Sequence, residues 1–581
     1  MARRNDEVGA LLQEYADLLR ITGGEEYKAR VYEKAARAVA GHHDDVATLG
    51  ANGLQKIPGV GASIAAKIAT YLDTGRMAAL EELHAKIPAG VRQLISIPAL
   101  GPRKAMVLYQ ELGIASVDEL VDAIHAQRLR GLKGFGVKTE EQLMHGVELL
   151  QRAGDRVHIN VAMDLAEEIV VELSAVIGCQ RCTYAGSLRR YKETIGDIDI
   201  LAAAVGGAAK DVTSAFSSLP YVDEVIATGG TKTSIRTTTG LQVDLRIVPP
   251  ESWGAALQYF TGSKAHNIRT REIAVHHKLK LSEYGLFDAE TDEVIVSETE
   301  EEVYERLGLP WIPPPLREDR GEIEAARHGE LPDLVTEQDL RGDLHTHTNL
   351  TDGVSSLEEM LEAAAARGYA YYAITDHAPN LYMQRMSDEK MLAQRERVRA
   401  LDGQYGTMRL LHGTELNIGP DGSVDWPPEF LAGFDLCVAS VHSHFDQDRD
   451  TMTSRLLRAI ENPYVDIIGH PTGRQIGRRS GIDADLDEVY RACGRTGTVL
   501  EINAYPDRLD LNDDEILRAR RYGVKFAIDS DSHSTVHLPF IRYGVGMAQR
   551  GWLTADDVVN TWPLRRLRSY LTRHRPAKES A

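Results

Sequence analysis

The C-terminal part of the chain holds the feature that most constrains its fold, a series of seven short apolar runs that are mostly followed by a helix-like stretch. Six of them lie in DLHTHTNLTD, AYYAITDHA, RLLHGTELNI, CVASVHSHF, DIIGHP and VKFAIDSDSH, each with histidine or acidic residues. The seventh is VLEIN. Parallel strands joined by helices bring residues that are distant in sequence to one rim of an α/β barrel. We therefore expect such a barrel over residues 341–575.

The polar residues of these stretches are suited to metal binding. His345 and His347 are two residues apart, so their side chains point the same way from one strand. The other candidates are Asp352, Asp376, His377, Glu415, His442, His470, Asp529, Asp531 and His533. Imidazole and carboxylate ligands suit Zn²⁺, Mn²⁺ or Fe²⁺, and no thiolate is required. Eight or nine ligands of this kind are too many for one ion and enough for three.

The order H-x-H, D-H, E, H, H, D-x-H resembles the PHP (polymerase and histidinol phosphatase) family over roughly residues 341–570. That family is a distorted (β/α)7 barrel with up to three metal ions, and its chemistry is metal-dependent phosphoester hydrolysis. The ligands that the resemblance implies are His345, His347, Asp352, His377, Glu415, His442, His470, Asp531 and His533. Asp343, Asp376 and Asp529 are then better candidates for orienting the imidazoles.

The loop TGRQIGRRSG places three arginines beside His470, which suits a polyanion better than a small monoester. They are Arg474, Arg478 and Arg479, and Arg508 is a further candidate. The alternative for this loop is a solvated surface. Together with the resemblance of the whole chain described below, such a contact fits a metal-dependent 3′→5′ exonuclease or 3′-phosphodiesterase, which that resemblance implies for the barrel.

The middle of the chain contains AGSLRRYKETIGDIDIL (185–201), a Gly-Ser pair followed by D-x-D. Asp197 and Asp199 point to one face of a strand, and Asp244 on a later β-rich run fits as the third carboxylate. In-line phosphoryl transfer uses two Mg²⁺ or Mn²⁺ ions about 4 Å apart. The nucleotide phosphates are expected at Gly186, Ser187 and Arg190. The pattern is the signature of the nucleotidyltransferase superfamily.

YFTGSKAHN (259–267) closely resembles the nucleotide-binding segment of family X DNA polymerases. The resemblance implies a nucleotide site at Tyr259, Phe260, Gly262 and Asn267, with a preference for deoxynucleotides. Two positions depart from the family pattern. Position 242 is often arginine but is Gln242 here, and Lys264 stands where DNA polymerase beta is often acidic. The first departure predicts that Mn²⁺ supports activity better than Mg²⁺.

Three Gly-x-Gly turns between helical stretches occur in the first 150 residues and resemble the helix-hairpin-helix, which holds the DNA backbone irrespective of sequence. Backbone N–H groups at such turns approach phosphate oxygens, and lysine adds charge. The candidate DNA contacts are Gly59, Gly61, Gly101, Lys104, Gly134, Gly136 and Lys138. A tight corner between helices is the alternative. Lys67 matches a lysine that forms a Schiff base in DNA polymerase beta, although Ser63 replaces a lysine of that relative, so lyase chemistry is an open possibility.

The charge and composition of the chain are compatible with these predictions. The net charge of −20 argues against a generic polyanion binder, but residues 1–150 carry 18 Lys and Arg against 19 Asp and Glu, so the acidity lies elsewhere. The sequence contains no apolar run of about 18 residues, so a membrane span is not expected. Four cysteines do not make a disulfide framework. Together these features predict a cytoplasmic protein, and we expect a monomer.

The expected fold is multidomain, α+β and α/β. The proposed divisions are a helical domain (1–88), fingers (89–152), a nucleotidyltransferase palm with a mixed sheet (153–262), a thumb (263–316), a linker (317–340) and the PHP barrel (341–575). The whole resembles a bacterial family X DNA polymerase that fills gaps in DNA repair, base excision or break repair in particular, with gapped or primed DNA and dNTP as substrates. The alternatives are a PHP small-molecule phosphatase fused to a non-replicative nucleotidyltransferase, and a DNA-structure-binding scaffold with inactive sites.

Overall fold

The computed structural model describes residues 4–21, 26–42, 44–87, 91, 94–95, 97, 100–153, 156–205, 207–381, 386–573 and 575. Its N-terminal part is helical, as expected. The helices are Arg4–Ile21, Glu26–Ala40, Ala51–Leu54, Ala62–Thr74, Ala78–Lys86, Pro102–Leu112, Val117–His125 and Val137–Ala153. Apolar residues at three- and four-residue spacing put one face of each helix into a shared core that extends from Val8 to Val147.

The palm is a mixed sheet in the order β2-β4-β7-β6-β5. Its strands are β2 (Cys179–Tyr184), β4 (Asp197–Ala204), β5 (Val222–Thr228), β6 (Lys232–Thr237) and β7 (Gln242–Val248), and β1 (Val157–His158) pairs separately with β3 (Thr194–Ile195). The helices are Ile159–Ser174, Gly186–Arg189 and Ala208–Ser217. β4 and β7 are parallel and largely buried, and all other pairs are antiparallel. This central pair carries the predicted carboxylates.

The next segment is a small helical and antiparallel unit. Its helices are Trp253–Thr261, Lys264–His276, Glu300–Arg306 and Glu322–His328, and its sheet contains β8 (Leu279–Ser282), β9 (Gly285–Asp288) and β10 (Val294–Val296). Glu300 is buried between two arginines. Its carboxylate accepts hydrogen bonds from Arg189 at 2.8 Å and from Arg317 at 2.6 Å, so it ties this unit to the palm.

The C-terminal part is the expected barrel of seven parallel strands in sequential order. They are β11 (Gly342–Asp343), β12 (Tyr371–Ile374), β13 (Arg409–Asn417), β14 (Leu436–Ser440), β15 (Ile467–Ile468), β16 (Val499–Asn503) and β17 (Phe526–Asp529). The helices are Leu357–Ala366, Asp388–Leu401, Pro428–Leu431, Arg449–Ile460, Leu486–Thr496, Asp513–Arg520, Ile541–Arg550 and Leu564–Leu571. The barrel closes through a parallel bridge between Thr346 and Ser532.

Palm and barrel pack directly on each other. Glu193 of the palm lies 2.6 Å from Arg474 of the barrel, and Tyr191 packs against Gly546 so closely that a Cβ there would overlap its ring. The N-terminal part also reaches the barrel, because the Ser534 hydroxyl donates to the carbonyl oxygen of Gly41. Among the described residues, no helix is long and apolar enough to cross a membrane.

Candidate functional site

The palm carboxylates come together through the register of β4 and β7. Asp199 is paired with Asp244 and Asp197 with Gln242, so the three acidic side chains share one face of the sheet. Gly186 has φ of +61°, and a Cβ at this position would overlap the Asp199 carboxylate. A residue without a side chain is therefore required where the Gly-Ser turn passes the carboxylates.

The electrostatics of this face are those of a cation site. Burial and the nearby charges of Asp197 and Asp244 raise the pKa of Asp199 to about 7. Burial opposes ionisation of Asp244 as well, but hydrogen bonds from Lys232, Ser234 and Gln242 hold its pKa below the ordinary value. Carboxylate oxygens are the ligands that Mg²⁺ and Mn²⁺ prefer, so the donor set fits the metal ions of phosphoryl transfer.

The predicted nucleotide residues lie beside this face. Tyr259 and Phe260 end the helix Trp253–Thr261, with their rings edge to face at 5.2 Å. Gly262 follows with φ of +69°. The Asn267 amide is hydrogen bonded to Gln258 and to the carbonyl oxygen of Tyr259, which places it as a link between two helices.

Two further residues of the predicted nucleotide site have contacts within the protein. The Arg190 guanidinium donates to the carbonyl oxygen of Thr261 at 2.6 Å and to Glu318 at 3.0 Å. Ser187 lies half-buried on the short helix Gly186–Arg189, and its carbonyl oxygen accepts the Lys192 N–H. Both residues lie at the turn that precedes the carboxylates, and their role in nucleotide binding stays a prediction.

The barrel gathers all nine predicted ligands at the end of its strands. Among the described residues, the sets of three or more His, Cys, Asp or Glu whose ligand atoms lie within 4.8 Å of one another are all found here, and the palm carboxylates are not among them. The sets are His347, Asp352, His377 and His533; His345, His347 and Asp531; and His377, Glu415 and His442. His470 joins them, because its Nε2 lies 3.0 Å from Glu415.

Unsatisfied atoms in this cluster show that the residues fit metal ions. Buried polar groups are almost always hydrogen bonded, because desolvating them without a partner costs free energy. Several buried atoms of this cluster nevertheless have no hydrogen-bond partner: Nε2 of His345, both ring nitrogens of His347, Oδ1 of Asp352 and Nδ1 of His470. Histidine nitrogens and carboxylate oxygens aimed at one another in this way are the donor set of a Zn²⁺, Mn²⁺ or Fe²⁺ site.

Glu415 lies at the centre of the cluster. It is fully buried, and burial would raise its pKa, but the imidazoles of His442, His377 and His345 hold the pKa well below its usual range. The distances from its oxygens to His377 and His442 are 2.8 and 3.1 Å. A carboxylate shared in this way by several imidazoles would serve as a ligand when metal ions are bound.

The residues that orient the imidazoles differ from those predicted. Glu501 lies 2.6 Å from Nδ1 of His345, and the Asn417 side-chain oxygen lies 2.8 Å from Nδ1 of His442. Glu501 also accepts the backbone N–H of His470. It is a fully buried glutamate on β16, within the VLEIN run that the sequence interpretation used only as a strand. A charged residue inside an apolar strand was the signal that could have identified it.

Asp343, Asp376 and Asp529 were predicted to orient the imidazoles. They instead accept hydrogen bonds from the segments that carry the ligands and so fix those segments. Asp343 accepts the backbone N–H groups of His345 and Ser530. Asp529 accepts the backbone N–H of Leu344 at 2.8 Å. Asp376 accepts from the Thr348 backbone and hydroxyl, and it therefore anchors the loop between His347 and Asp352.

The predicted arginines are spread over different environments. Arg474 is tied to Glu193 and to the carbonyl oxygen of Leu509, whereas Arg478 is exposed. Arg479 stacks on Phe445 at 3.8 Å. Arg508 comes nearest to the metal cluster, with its Nε 3.9 Å from Asp531.

The first and third hairpins are described by the structure, and of the second the structure describes Gly101 and the helix that follows it, while part of its turn lies outside the described residues. Gly59 and Gly134 have φ of +84° and +90°, while Gly61, Gly101 and Gly136 stand immediately before helices with open space at the Cβ position. Lys104 lies 5.9 Å from the centre of the Phe135 ring, which brings the second and third hairpins together. The Lys138 side chain is outside the described residues. Lys67 is half-buried and hydrogen bonded to the Ser63 hydroxyl at 2.9 Å.

Family models match the chain in the order of these parts. A helix-hairpin-helix domain matches residues 3–77 and a SAM-like helix-hairpin-helix tandem matches residues 91–147. A DNA polymerase beta thumb matches residues 256–318, and a PHP domain matches residues 343–505. These matches agree with the helical hairpins and the seven-stranded barrel.

Individual relatives cover either the whole chain or one part of it. The chain is 29% identical over 231 residues to a "probable phosphatase" of Thermoanaerobacter sp. (strain X514), which accounts for 38% of this chain and 89% of the relative. It is 26% identical over 326 residues to DNA polymerase lambda of Rattus norvegicus, with 51% of this chain and 53% of the relative covered.

One relative matches the entire arrangement. The "DNA polymerase/3'-5' exonuclease PolX" of Bacillus subtilis (strain 168) is 36% identical over 567 residues, and the alignment covers 97% of this chain and 98% of the relative. The order of hairpins, thumb and barrel is thus common to both proteins from end to end. The chain belongs to the family X DNA polymerases of the bacterial PolX type, which carry a PHP domain at the C-terminal end.

Proposed function

We propose that the chain is a DNA-directed DNA polymerase that fills gaps during DNA repair and that its barrel removes nucleotides from DNA 3′ ends. The proposal rests on one observation. The chain contains an acidic centre in the palm and a separate histidine-rich centre in the barrel, and both follow the helical hairpins in the sequence. The near full-length relative is named for both activities. Gapped or primed DNA and dNTP are the proposed substrates, and the proposed state is a monomer.

In the palm, Asp197, Asp199 and Asp244 would hold two Mg²⁺ or Mn²⁺ ions. These ions lower the barrier by activating the attacking 3′-hydroxyl and neutralising the triphosphate. The chain's own contribution is placement. Gly186 and Ser187 offer backbone N–H groups to phosphate oxygens, and Tyr259 and Phe260 lie under the sugar, where a 2′-hydroxyl would be crowded. The preference for Mn²⁺ over Mg²⁺ stays a prediction.

In the barrel, the nine ligands named above would hold up to three Zn²⁺, Mn²⁺ or Fe²⁺ ions, which supply an activated water and stabilise the leaving oxygen of a phosphodiester. Glu501 and Asn417 fix the imidazoles of His345 and His442, while Asp376 holds the loop between His347 and Asp352. Arg508, beside Asp531, is placed to contact a DNA phosphate, and the exposed Arg478 is a second candidate.

The polyanionic DNA substrate is proposed for the barrel because of the hairpins. A small-molecule phosphatase has no use for helix-hairpin-helix elements or for a nucleotide-binding segment, and the phosphatase relative matches only 38% of this chain. Hairpin glycines 59, 61, 101, 134 and 136 would hold the DNA backbone, with Lys104 and Lys138 adding charge. The domain divisions given above belong to the same proposal. Lyase chemistry at Lys67 stays an open alternative to a phosphate contact by that lysine.

One assay tests the proposal directly. The wild-type protein is incubated with duplex DNA that contains a one-nucleotide gap, with and without dNTP, in Mg²⁺ and in Mn²⁺, and the 3′ end is followed on a gel. We expect extension by one templated nucleotide when dNTP is present, and shortening of the 3′ end when it is absent. A primer that is neither extended nor shortened under all four conditions would contradict the proposal.

A further inference from the structure

The Asp244 carboxylate is held on both oxygens by neighbouring side chains. The Gln242 amide nitrogen lies 3.0 Å from Oδ1, and the Lys232 ammonium lies 2.7 Å from Oδ2. The Asp244 side chain is only 12% exposed and Lys232 is 38% exposed, so the ion pair stands at the edge of the site, where solvent screens it only in part.

The two contacts approach Asp244 along β7 and from β6. β7 lies between β4 and β6, with Asp199 opposite Asp244 on one side and Ser234 opposite it on the other. Lys232 is two residues from Ser234 on β6 and therefore shares its face. The cations of the proposed site belong between the acidic residues of β4 and Asp244. Lys232 thus contacts the Asp244 carboxylate from the side away from Asp197 and Asp199.

This arrangement accounts for the departure at position 242. An arginine there could supply both a hydrogen bond and a positive charge to the third carboxylate from one side chain. Glutamine supplies the hydrogen bond alone, because an amide carries no charge. In this chain the charge comes from Lys232 on the neighbouring strand, so the two functions are divided between two residues.

We propose that Lys232 is a positioning residue for nucleotidyl transfer and that, together with Gln242, it fixes the direction in which Asp244 presents its oxygens to the reacting groups. The proposal rests on the polymerase function proposed above. Groups that orient a metal-binding carboxylate commonly affect activity as strongly as the ligands themselves do.

Removing Lys232 is expected to affect the rate of the chemical step and the affinity for metal differently. Measuring both quantities therefore identifies its role. Without Lys232, the Asp244 carboxylate keeps its hydrogen bonds from Gln242 and Ser234 but loses the charged contact to Oδ2, so its direction is less fixed and the chemical step slows. Removing a positive charge near acidic ligands does not weaken their attraction for a cation, and an ammonium group that competes for Oδ2 is gone. We therefore expect slower chemistry without loss of metal affinity.

The test is a set of four variants, Lys232→Met, Lys232→Arg, Gln242→Arg and the combination of Lys232→Met with Gln242→Arg. Single-turnover incorporation on one-nucleotide-gapped DNA is measured at saturating dNTP and Mn²⁺. Mn²⁺ binding is measured by electron paramagnetic resonance on complexes with a 3′-dideoxy primer. The Mn²⁺ bound by the Asp197→Ala plus Asp199→Ala protein is subtracted as the barrel's share. Lys280→Met is the matched control, since Lys280 makes a 2.8 Å ion pair with Asp292 on the exposed sheet of the thumb.

We expect Lys232→Met to lower the single-turnover rate by about 10- to 100-fold, as for other groups that orient a ligand, with Mn²⁺ bound as tightly as in the wild type or more tightly. Lys232→Arg keeps most of the rate, and Gln242→Arg restores most of it to Lys232→Met. Lys280→Met matches the wild type. Retained 3′ resection by the barrel verifies that each variant is folded.

Three results would overturn the proposal. They are a wild-type rate in Lys232→Met, a parallel loss of rate and Mn²⁺ affinity, and failure of Gln242→Arg to rescue a folded Lys232→Met protein. If the wild-type protein itself adds no nucleotide, the polymerase function fails instead, and that outcome is separate from a wild-type enzyme that is indifferent to position 232.

Discussion

Glu501 illustrates how a single residue controls the barrel centre from outside the ligand set. Its two oxygens lie 2.6 Å from Nδ1 of His345 and 2.5 Å from the backbone nitrogen of His470. The first contact fixes the imidazole so that Nε2, the unpartnered nitrogen, points into the cluster. The second sets the backbone position of another ligand. One glutamate therefore orients two histidines of the centre.

Glu501→Gln keeps the shape of the side chain but removes its charge and one acceptor. We expect metal affinity of the barrel to fall by about 10- to 100-fold, the usual cost of losing a partner that orients a ligand. Metal content after dialysis against graded chelator measures the effect, and extension of a gapped primer by the palm should persist. Glu461→Gln, at an exposed ion pair with Arg495, is the control. Equal metal retention in Glu501→Gln and the control would disprove this role.

The sequence was sufficient for predicting which histidine and acidic side chains meet at the rim of the barrel, but not the residues that hold them in place. His345, His347 and Asp531 could be found because histidine and aspartate recur at the ends of apolar runs in a fixed order. Glu501 and Asn417 were not identified from the sequence, because their function depends on which strands are neighbours and on side-chain distances across the barrel. Gln242 was noticed as a departure, but its partner Lys232 became visible only when β6 and β7 were paired.

At the scale of elements, the helix Glu300–Arg306 is attached to the palm through its first residue. Burial alone would raise the pKa of Glu300, but the guanidinium groups of Arg317 and Arg189 outweigh it and lower the pKa to about 2. The Trp311 indole nitrogen lies 3.2 Å from the same carboxylate. The carboxylate is therefore ionised in the folded protein and satisfied on both oxygens.

This ion pair predicts a pH dependence of stability. The pKa of Glu300 is depressed from 4.5 to about 2 on folding, so its contribution is complete above pH 4.5 and is lost as the pH falls toward 2. Glu300→Gln should lower the free energy of unfolding at neutral pH by about 3 kcal/mol, because it leaves two buried guanidinium groups without their counter-charge.

Thermal unfolding of the wild type and Glu300→Gln, followed by circular dichroism at a series of pH values, measures this contribution. The difference in Tm between the two proteins should be largest near neutral pH and should narrow as the pH falls below about 4.5. Glu461→Gln, at an exposed pair with Arg495, should show no such pattern. A difference in Tm that is constant across the pH range would contradict the assignment.

Periodicity was sufficient for predicting most elements. The apolar spacing of the N-terminal helices and the seven β-like runs of the barrel correspond to the helices and strands observed, since both patterns report which face is buried. Periodicity did not predict the contacts between these elements. Glu322, within the predicted linker (317–340), is fully buried and lies 2.7 Å from His266 of the thumb. A buried partner 56 residues away leaves no periodic signal in the sequence.

At the scale of the whole molecule, the two centres are held by one packed body. Arg474 and Arg542 of the barrel pair with Glu193 and Glu167 of the palm, and the apolar core runs from one to the other. The residues of each centre nevertheless come from their own sheet or barrel. Chemistry in the palm and chemistry in the barrel should therefore be separable by substitution, even though the two units share an interface.

The most direct test of the account compares two variants in the gapped-DNA assay. Asp197→Ala plus Asp199→Ala removes the palm carboxylates of β4, and His345→Ala removes a barrel ligand. We predict that the first protein shortens 3′ ends at the wild-type rate but adds no nucleotide, and that the second adds nucleotides but no longer shortens 3′ ends. Loss of both activities in either folded variant would contradict the presence of two independent centres.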